Sequence, residues 1–331
     1  MSRVNRSPSV PAPGPADAPA LAALDRALAL VAADPHARGL ADAASDDVVL
    51  DAPLAEWLYG AWWAGVDADA AAAAHSAGVE PLAGVLEAAR REAAPVEEGW
   101  LVLASDGARI VAARLRSGGG EPTIVQRAAD AVVASSRPGC PARPGDRVAL
   151  LAGSGGPDAD DAWWWAHTAE PVASEAVDRW YVHARPAGAP AIVAATVALG
   201  AGLGVALSLK CPTRAPGFAR RDALVVYSPR RDRAALEGAL AGWLAAVAPW
   251  VADGEPPLTR LVAPGIGFAE DPGGETSLGQ LRCAQVAAAV VRVRRDGAAD
   301  RRALLAAVGI NPDRPELLVT DDLNGHRKEQ P

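Results

Sequence analysis

The chain has 331 residues, half of them hydrophobic, and a formal net charge of −8. That size holds one large domain or two smaller ones, and that charge argues against a general nucleic-acid binder. The three cysteines, Cys140, Cys211 and Cys283, are too widely spaced for a zinc knuckle or a disulfide framework, which predicts reduced thiols and a cytoplasmic protein.

Residues 1–19 are rich in Pro, Ser and Ala and predict a disordered arm without the apolar core of a signal peptide. Residues 20–98 predict a helical N-terminal subdomain. Leu21, Leu24, Leu28 and Val31 recur at helical spacing, as do Leu54, Trp57, Leu58 and Trp62, and Leu82, Val85 and Leu86 mark a third helix. Trp57, Tyr59, Trp62 and Trp63 read as core aromatics. Residues 99–320 predict an α+β domain, and 321–331 a flexible tail. From Trp100 the pattern turns to strand, with WLVLAS and ARIVAARL forming a hairpin around Asp106 and Gly107. RVALLA is a further strand, GSGGPDADD a flexible acidic loop, and WWWAHT follows it.

The second half alternates. RWYVHAR is a strand, Pro190 to about Leu203 a helix, GVALSLK a strand, CPTRAPGFARRD a Pro-broken loop and ALVVYS a third strand. The most apolar stretch, PAIVAATVALGAGLGVALSL, has a Gly-rich break and runs into Lys210, so it reads as helix, turn and strand rather than a membrane span. RAALEGALAGWLAAVAPW is an amphipathic helix. PPLTRLVAPGIGFAEDPGGE reads as a long working loop with short extended pieces. SLGQLRCAQVAAAVVRVRR and Arg301–Val308 are helices. The fold class is α+β, an N-terminal helical region followed by a mixed or antiparallel sheet packed with helices.

Several chemistries lack their motifs. There is no GxxxxGK[ST], no GxGxxG between strand and helix, no GxSxG and no HExxH. The acidic run Asp158, Asp160 and Asp161 reads as a solvated loop. No metal or cofactor is expected.

What the sequence does carry is an unusual amine. Of the 32 Lys and Arg side chains only two are lysines, Lys328 in the polar tail and Lys210 at the end of VALSLK. A buried ammonium can lose its proton whereas a guanidinium essentially cannot, so Lys210 is a candidate base. Alternation along RWYVHAR puts Arg179, Tyr181, His183 and Arg185 on one face. Arg214, Arg220 and Arg221 follow Lys210 on the next loop. Ser277-x-x-Gln280 is a capping box that starts a helix, with Arg282 one turn in, an arrangement suited to a dianion such as phosphate. The neighbouring carboxylates of EDPGGE would repel that anion unless they engage other groups. One amine, one histidine and several arginines, with neither nucleophile elbow nor nucleotide cradle, fit β-elimination of phosphate from phosphoserine or phosphothreonine.

The segments RWYVHAR, LSLKCPTRAPGFARRDALVVYSP and PLTRLVAPGIGFAEDPGGETSLGQLRC resemble the HopA-type effector family, roughly over residues 50–320 and most strongly over 179–290. The resemblance extends to relatives that act as the lyase component of class V lanthipeptide synthetases, and the chemistry parallels the effector phosphothreonine lyases, whose fold it implies. It implies His183 as acid, Lys210 as base, Arg220 or Arg221 as first phosphate ligand and Arg282 as second. The family's Lys-x-His lysine is Tyr181 here, so Tyr181, Arg179 or Arg185 takes over its role, and Tyr227 borders the substrate. It further implies a phosphorylated precursor peptide as substrate, no cofactor, and a kinase-like protein and a cyclase as partners, without nucleic acid or membrane. The alternative reading is a non-catalytic phosphopeptide- or partner-binding module of a peptide-modifying complex or effector.

Overall fold

The computed structural model describes residues 18–66, 81–115, 121–169, 171–172, 176–273, 276–297 and 300–318. The expected arm before Ala18 and the expected tail lie outside them, as does Glu275. The chain divides into two compact units, one of Met1–Ala64, Pro257–Arg260 and Thr276–Pro331, the other of Gly65–Pro256 and Leu261–Glu275.

The first unit is helical. Helix α1 spans Pro19–Ala33, α2 Pro35–Ala43 and α3 Pro53–Leu58, and α3 runs on as a π-helical turn over Tyr59–Ala64. Proline at the first turn starts each of the three, where a missing N–H costs nothing. Asp34 adds a cap to α2 by accepting from the N–H groups of His36 and Ala37. Leu24 and Val31 of the predicted stripe are buried. The π turn widens the helix so that the successive indoles of Trp62 and Trp63 are both buried, while Trp57 and Tyr59 are only half-buried. The long helix of this unit has the predicted Ser277–Gln280 capping box and ends at a left-handed Gly297. Gly279 near its start is needed for close packing, because a Cβ there would lie 2.7 Å from the Trp63 indole nitrogen and from Tyr59 Cε2. At its other end Arg294 pairs with Asp42 at 2.6 Å and Arg295 with Asp46 at 2.7 Å.

The second unit contains the sheets. A helix at Ala83–Ala93 (α4) precedes strands β1 Val96–Ser105, β2 Arg109–Arg114, β3 Thr123–Ala128, β4 Val132–Ser135 and β5 Arg147–Leu151, which form one sheet in the order β3-β2-β1-β5-β4. Trp100, Val102, Ile110, Ala112, Val125, Val148 and Leu150 make its core. The β1–β2 hairpin turns where predicted, with Asp106 accepting from the N–H groups of Ala108 and Arg109.

Strands β6 Ser154–Pro157, β7 Trp163–His167, β8 Val177–Val182, β9 Ser208–Pro212, β10 Leu224–Pro229, β11 Arg260–Ala263 and β12 Ile266–Asp271 form a seven-stranded sheet ordered β11-β12-β8-β10-β9-β7-β6. Helices α5 (Ala189–Leu203) and α6 (Arg233–Val247) cover one face over Trp164, Trp180, Val182, Leu209, Leu224, Val226, Ile266 and Phe268. The window Pro186–Leu203 is long and apolar enough to cross a membrane, yet Ile192, Val193 and Val197 within it pack into this core. The remaining α-helices among the described residues are α7 (Leu278–Asp296) and α8 (Arg301–Ala307).

Three sequence expectations change. The stretch expected as a long working loop is the hairpin β11–β12, with β12 beside the interior strand β8. Its turn needs Gly265, whose φ is +72° and whose added Cβ would sit 1.8 Å from the Ala252 carbonyl oxygen. The first half of the expected acidic loop is the short edge strand β6. The unit boundary also falls elsewhere than 98/99, since α7 and α8 fold with α1–α3 and α4 folds with the sheets. Buried small residues of α7 admit α1 and α3 closely, and α4 buries Leu86 in the sheet core and sets the Arg90–Glu87 ion pair against Gly155 of β6.

Candidate functional site

The second face of the seven-stranded sheet, opposite α5 and α6, carries the titratable side chains. Along β8 Trp180 and Val182 join the helix-covered core, so Arg179 and Tyr181 turn the other way. Ala184 returns to the core, which keeps His183 on the side of Tyr181. The alternation read from RWYVHAR therefore holds on an interior strand. The strand register builds two cross-strand rows, Trp165–Lys210–Val225–Tyr181–Gly267 and His167–Ser208–Tyr227–Arg179–Ala269. Arg179, Tyr181 and Ser208 are buried, whereas Trp163, Trp165, His167, Lys210, Arg220 and Tyr227 are half-buried. The face is thus buried at β8 and reached by solvent along β7 and β9.

Lys210 lies at the centre. Its ammonium sits 4.6 Å from the Trp163 ring centre and 5.6 Å from that of Trp165. Burial lowers its pKa from 10.5 to about 8; the Arg179 and Arg220 charges push the same way, while Asp222 and Asp158 oppose them. An amine with that pKa is a usable base near neutral pH.

The arginines around it are held by carboxylates. Arg220 makes a fork to Asp222 at 2.5 and 2.8 Å and lies 5.4 Å from the Trp163 ring centre. Arg179 bonds Asp271 and lies 5.1 Å from the Tyr227 ring centre. Burial works against the Arg179 charge, yet its pKa stays above the ordinary value, held there by the Asp271 carboxylate it bonds. Tyr181 is fixed as a neutral phenol, its pKa driven up chiefly by burial. Two of the EDPGGE carboxylates, Glu270 and Asp271, are engaged by arginines. Asp271 faces Arg179, while Glu270, on the alternate side of β12, accepts from Arg233 at 2.8 Å beside Asp178.

His183 stands one residue beyond β8, with its Nδ1 2.8 Å from the Asp253 carbonyl oxygen. Arg221 runs past the same turn, its Nε 3.6 Å from where a Cβ on Gly254 would stand. The consecutive arginines therefore part, Arg220 toward Lys210 and Arg221 toward the turn that holds His183. Arg214 is exposed, 3.6 Å from Asp161, and Arg185 is exposed near the Pro249 carbonyl.

Two expected ligands have other work. Arg282 is buried in the helical unit, where it donates to the Gln285 side chain at 3.0 Å and to the backbone carbonyls of Gly309, Pro315 and Leu317. It ties α7 to the chain after α8, and its expected phosphate role is corrected to a structural one. Gln280 closes the capping box on the Ser277 N–H at 3.2 Å.

Trp163, Trp165, His167, Asp222 and Asp271 belong to the arrangement and were not singled out from the sequence. The period-two pattern of WWWAH was the available signal for the first three, since it puts two indoles and an imidazole on one strand face.

Residues 161–317 match the model of the HopA1 effector protein family. No curated protein matches the chain. Among solved structures, the effector protein from Pseudomonas syringae pv. tomato strain DC3000 is 20% identical, with 49% of this chain and 66% of that chain covered and a TM-score of 0.40. The effector protein from Pseudomonas syringae pv. syringae strain 61 is 17% identical over the same shares, with a TM-score of 0.39. The chain thus spans just under two thirds of the length of either effector. Over residues 161–317, the stretch that contains Trp163, Lys210 and Tyr227, this chain carries the pattern of the HopA1 effector protein family.

Proposed function

We propose that this chain eliminates phosphate from a phosphorylated serine or threonine of a peptide. The observation that carries the reading is Lys210, one of only two lysines, desolvated and flanked by Arg179 and Arg220 so that its pKa falls to about 8. In this reaction the neutral Lys210 amine takes the α-proton. The electrons left on Cα form the Cα=Cβ double bond, the Cβ–O bond breaks, and phosphate departs with that electron pair. Arg220 and Arg179, oriented by Asp222 and Asp271, stabilise the growing charge on the phosphate. His183 as an imidazolium gives the leaving oxygen its proton or a hydrogen bond. Tyr181, a neutral phenol, takes the place of the lysine in the Lys-x-His pattern, and Arg221 supports the His183 side.

The products are dehydroalanine from phosphoserine and dehydrobutyrine from phosphothreonine. The reaction is redox-neutral and consumes no cofactor. It requires a preceding phosphorylation, which assigns a kinase-like partner, and it leaves an electrophilic alkene that a thiol can add to, which assigns a cyclase of a lanthipeptide-type pathway. A phosphorylated ribosomal precursor peptide in the cytoplasm is the substrate that joins these steps.

The test is intact-mass analysis of a phosphothreonine peptide after incubation with the protein. Elimination removes the mass of phosphoric acid and leaves a product that adds a thiol. Hydrolysis removes the mass of HPO3 and leaves an unreactive hydroxyl. Binding without a mass change would replace the enzyme with a phosphopeptide-binding module.

A further inference from the structure

Among the described residues the Lys210 amine makes neither a hydrogen bond nor an ion pair, and it lies against the rings of Trp163 and Trp165. The carboxylates whose charge reaches it are engaged elsewhere. Asp222 is forked by Arg220, and Asp158 accepts the N–H groups of Ala162 and Trp163 at 3.0 and 3.2 Å, closing the turn that leads into β7. Arg179 acts on the amine more strongly than Asp222 does, and Arg220 more strongly than Asp158. These four charges together make the surroundings of Nζ positive.

Burial is the chief reason that the ammonium gives up its proton there. A site that penalises charge on a nitrogen, and supplies no acceptor for it, favours the neutral amine. A neutral amine is a nucleophile as well as a base. The electrophile that suits it is an aldehyde. The amine nitrogen adds to the carbonyl carbon, the carbinolamine loses its oxygen as water, and a C=N bond replaces the C=O bond. Nothing is oxidised or reduced. The imine nitrogen is less basic than the amine, so it stays neutral where burial opposes a charge.

The neighbours say what the aldehyde carries. The Trp163 ring centre is 4.6 Å from the ammonium and 5.4 Å from the Arg220 guanidinium, so one indole spans the amine and a cation that suits a phosphate. The Trp165 ring, 5.6 Å from the ammonium, stacks on Tyr227 and adds a second aromatic wall. Trp163, Trp165, Lys210 and Arg220 are all half-buried, so a ligand can reach this corner of the sheet face.

We infer that Lys210 is a reversible covalent site for a phosphate ester of a small planar aldehyde, with the aldehyde bound as an imine on Nζ, the phosphate toward Arg220 and the planar body against Trp163. Such a ligand occupies the base of the proposed elimination and blocks it. The inference rests on the reading of the Arg220 corner as a phosphate site, and not on elimination itself.

Pyridoxal phosphate is the probe, used with the full chain at pH 8, near the pKa of the amine, and fixed with borohydride before peptide mapping. The chain has two lysines, so mapping separates Lys210 from Lys328. Lys210 should be labelled about tenfold faster than Nα-acetyllysine, an ordinary amine, and its preference for pyridoxal phosphate over pyridoxal should exceed that of Nα-acetyllysine about tenfold. Inorganic phosphate should slow the labelling of Lys210 and leave that of Lys328 unchanged. A Lys210 no faster than the ordinary amine overturns the covalent site. A preference for the phosphate ester equal to that of the ordinary amine, or no protection by phosphate, overturns the ligand class. Where the protein eliminates phosphate, the rate should fall with the fraction labelled, and an unchanged rate at full labelling overturns the block. Labelling of Lys210 in a protein that eliminates nothing defeats the lyase reading and leaves this one standing. Elimination by a protein that resists the label does the converse.

Discussion

The Lys210 ammonium and the Trp163 indole meet at 4.6 Å, and the same indole lies 5.4 Å from the Arg220 guanidinium. One indole thus holds the candidate base and a candidate phosphate ligand. A ring face favours the charged form of an amine, against the burial and the neighbouring arginines that favour the neutral form. Trp163→Leu keeps apolar bulk and removes the π face, so the Lys210 pKa should fall. The rising limb of elimination rate against pH should move to lower pH by up to about one unit. A pH–rate profile of the variant checks this.

Arg179→Met should move the same limb the other way. The Arg179 charge lowers the Lys210 pKa, so its removal raises it, and the rate should climb at higher pH than in the wild type. Binding of inorganic phosphate should weaken in the same variant. Asp271→Asn, which releases Arg179 from its carboxylate, should strengthen that binding. Titration calorimetry with phosphate measures both.

Lys210 also leaves a signature in stability. Its folded pKa, about 8, lies below the ordinary 10.5, so between these values the unfolded chain binds more protons than the folded one. Folding stability of the wild type should therefore rise with pH across that window relative to Lys210→Met. Below pH 8 the methionine variant should melt higher, and the gap should shrink toward pH 10.5. Melting curves of both proteins at several pH values provide the measurement.

Arg282→Met should act on the fold. It removes the donors to the carbonyls of Gly309, Pro315 and Leu317, inside the helical unit. A loss of about 3 kcal/mol is expected for a buried, multiply bonded guanidinium. Denaturant unfolding should show it, with phosphate affinity of the remaining folded protein unchanged. A phosphate ligand would give the converse pattern.

Much of the arrangement was legible from local patterns. Period-two alternation placed Arg179, Tyr181 and His183 on one side of β8, and the spacing Ser277-x-x-Gln280 located the start of α7. What was not legible depended on long-range pairing. β12 was obscured by prolines and glycines on either side, and its strand character comes from pairing with β8 along Ile266–Asp271. Arg282 looked like an anion ligand because a helix start and a guanidinium suit one. Only the fold shows that the chain at Gly309–Leu317 folds back to take its donors. Likewise the carboxylates of β12 read as a local acidic cluster, and alternation sends Glu270 to Arg233 and Asp271 to Arg179.

The central claim is that Lys210 removes the α-proton. A phosphothreonine peptide deuterated at the α-carbon, incubated at pH 8 and followed by intact mass, tests it most directly. The wild type should lose phosphoric acid more slowly from the deuterated peptide than from the protiated one, and Lys210→Arg should leave both intact while still binding them. Full elimination by Lys210→Arg, or a wild-type product that keeps its α-deuterium after losing phosphate, would contradict the account.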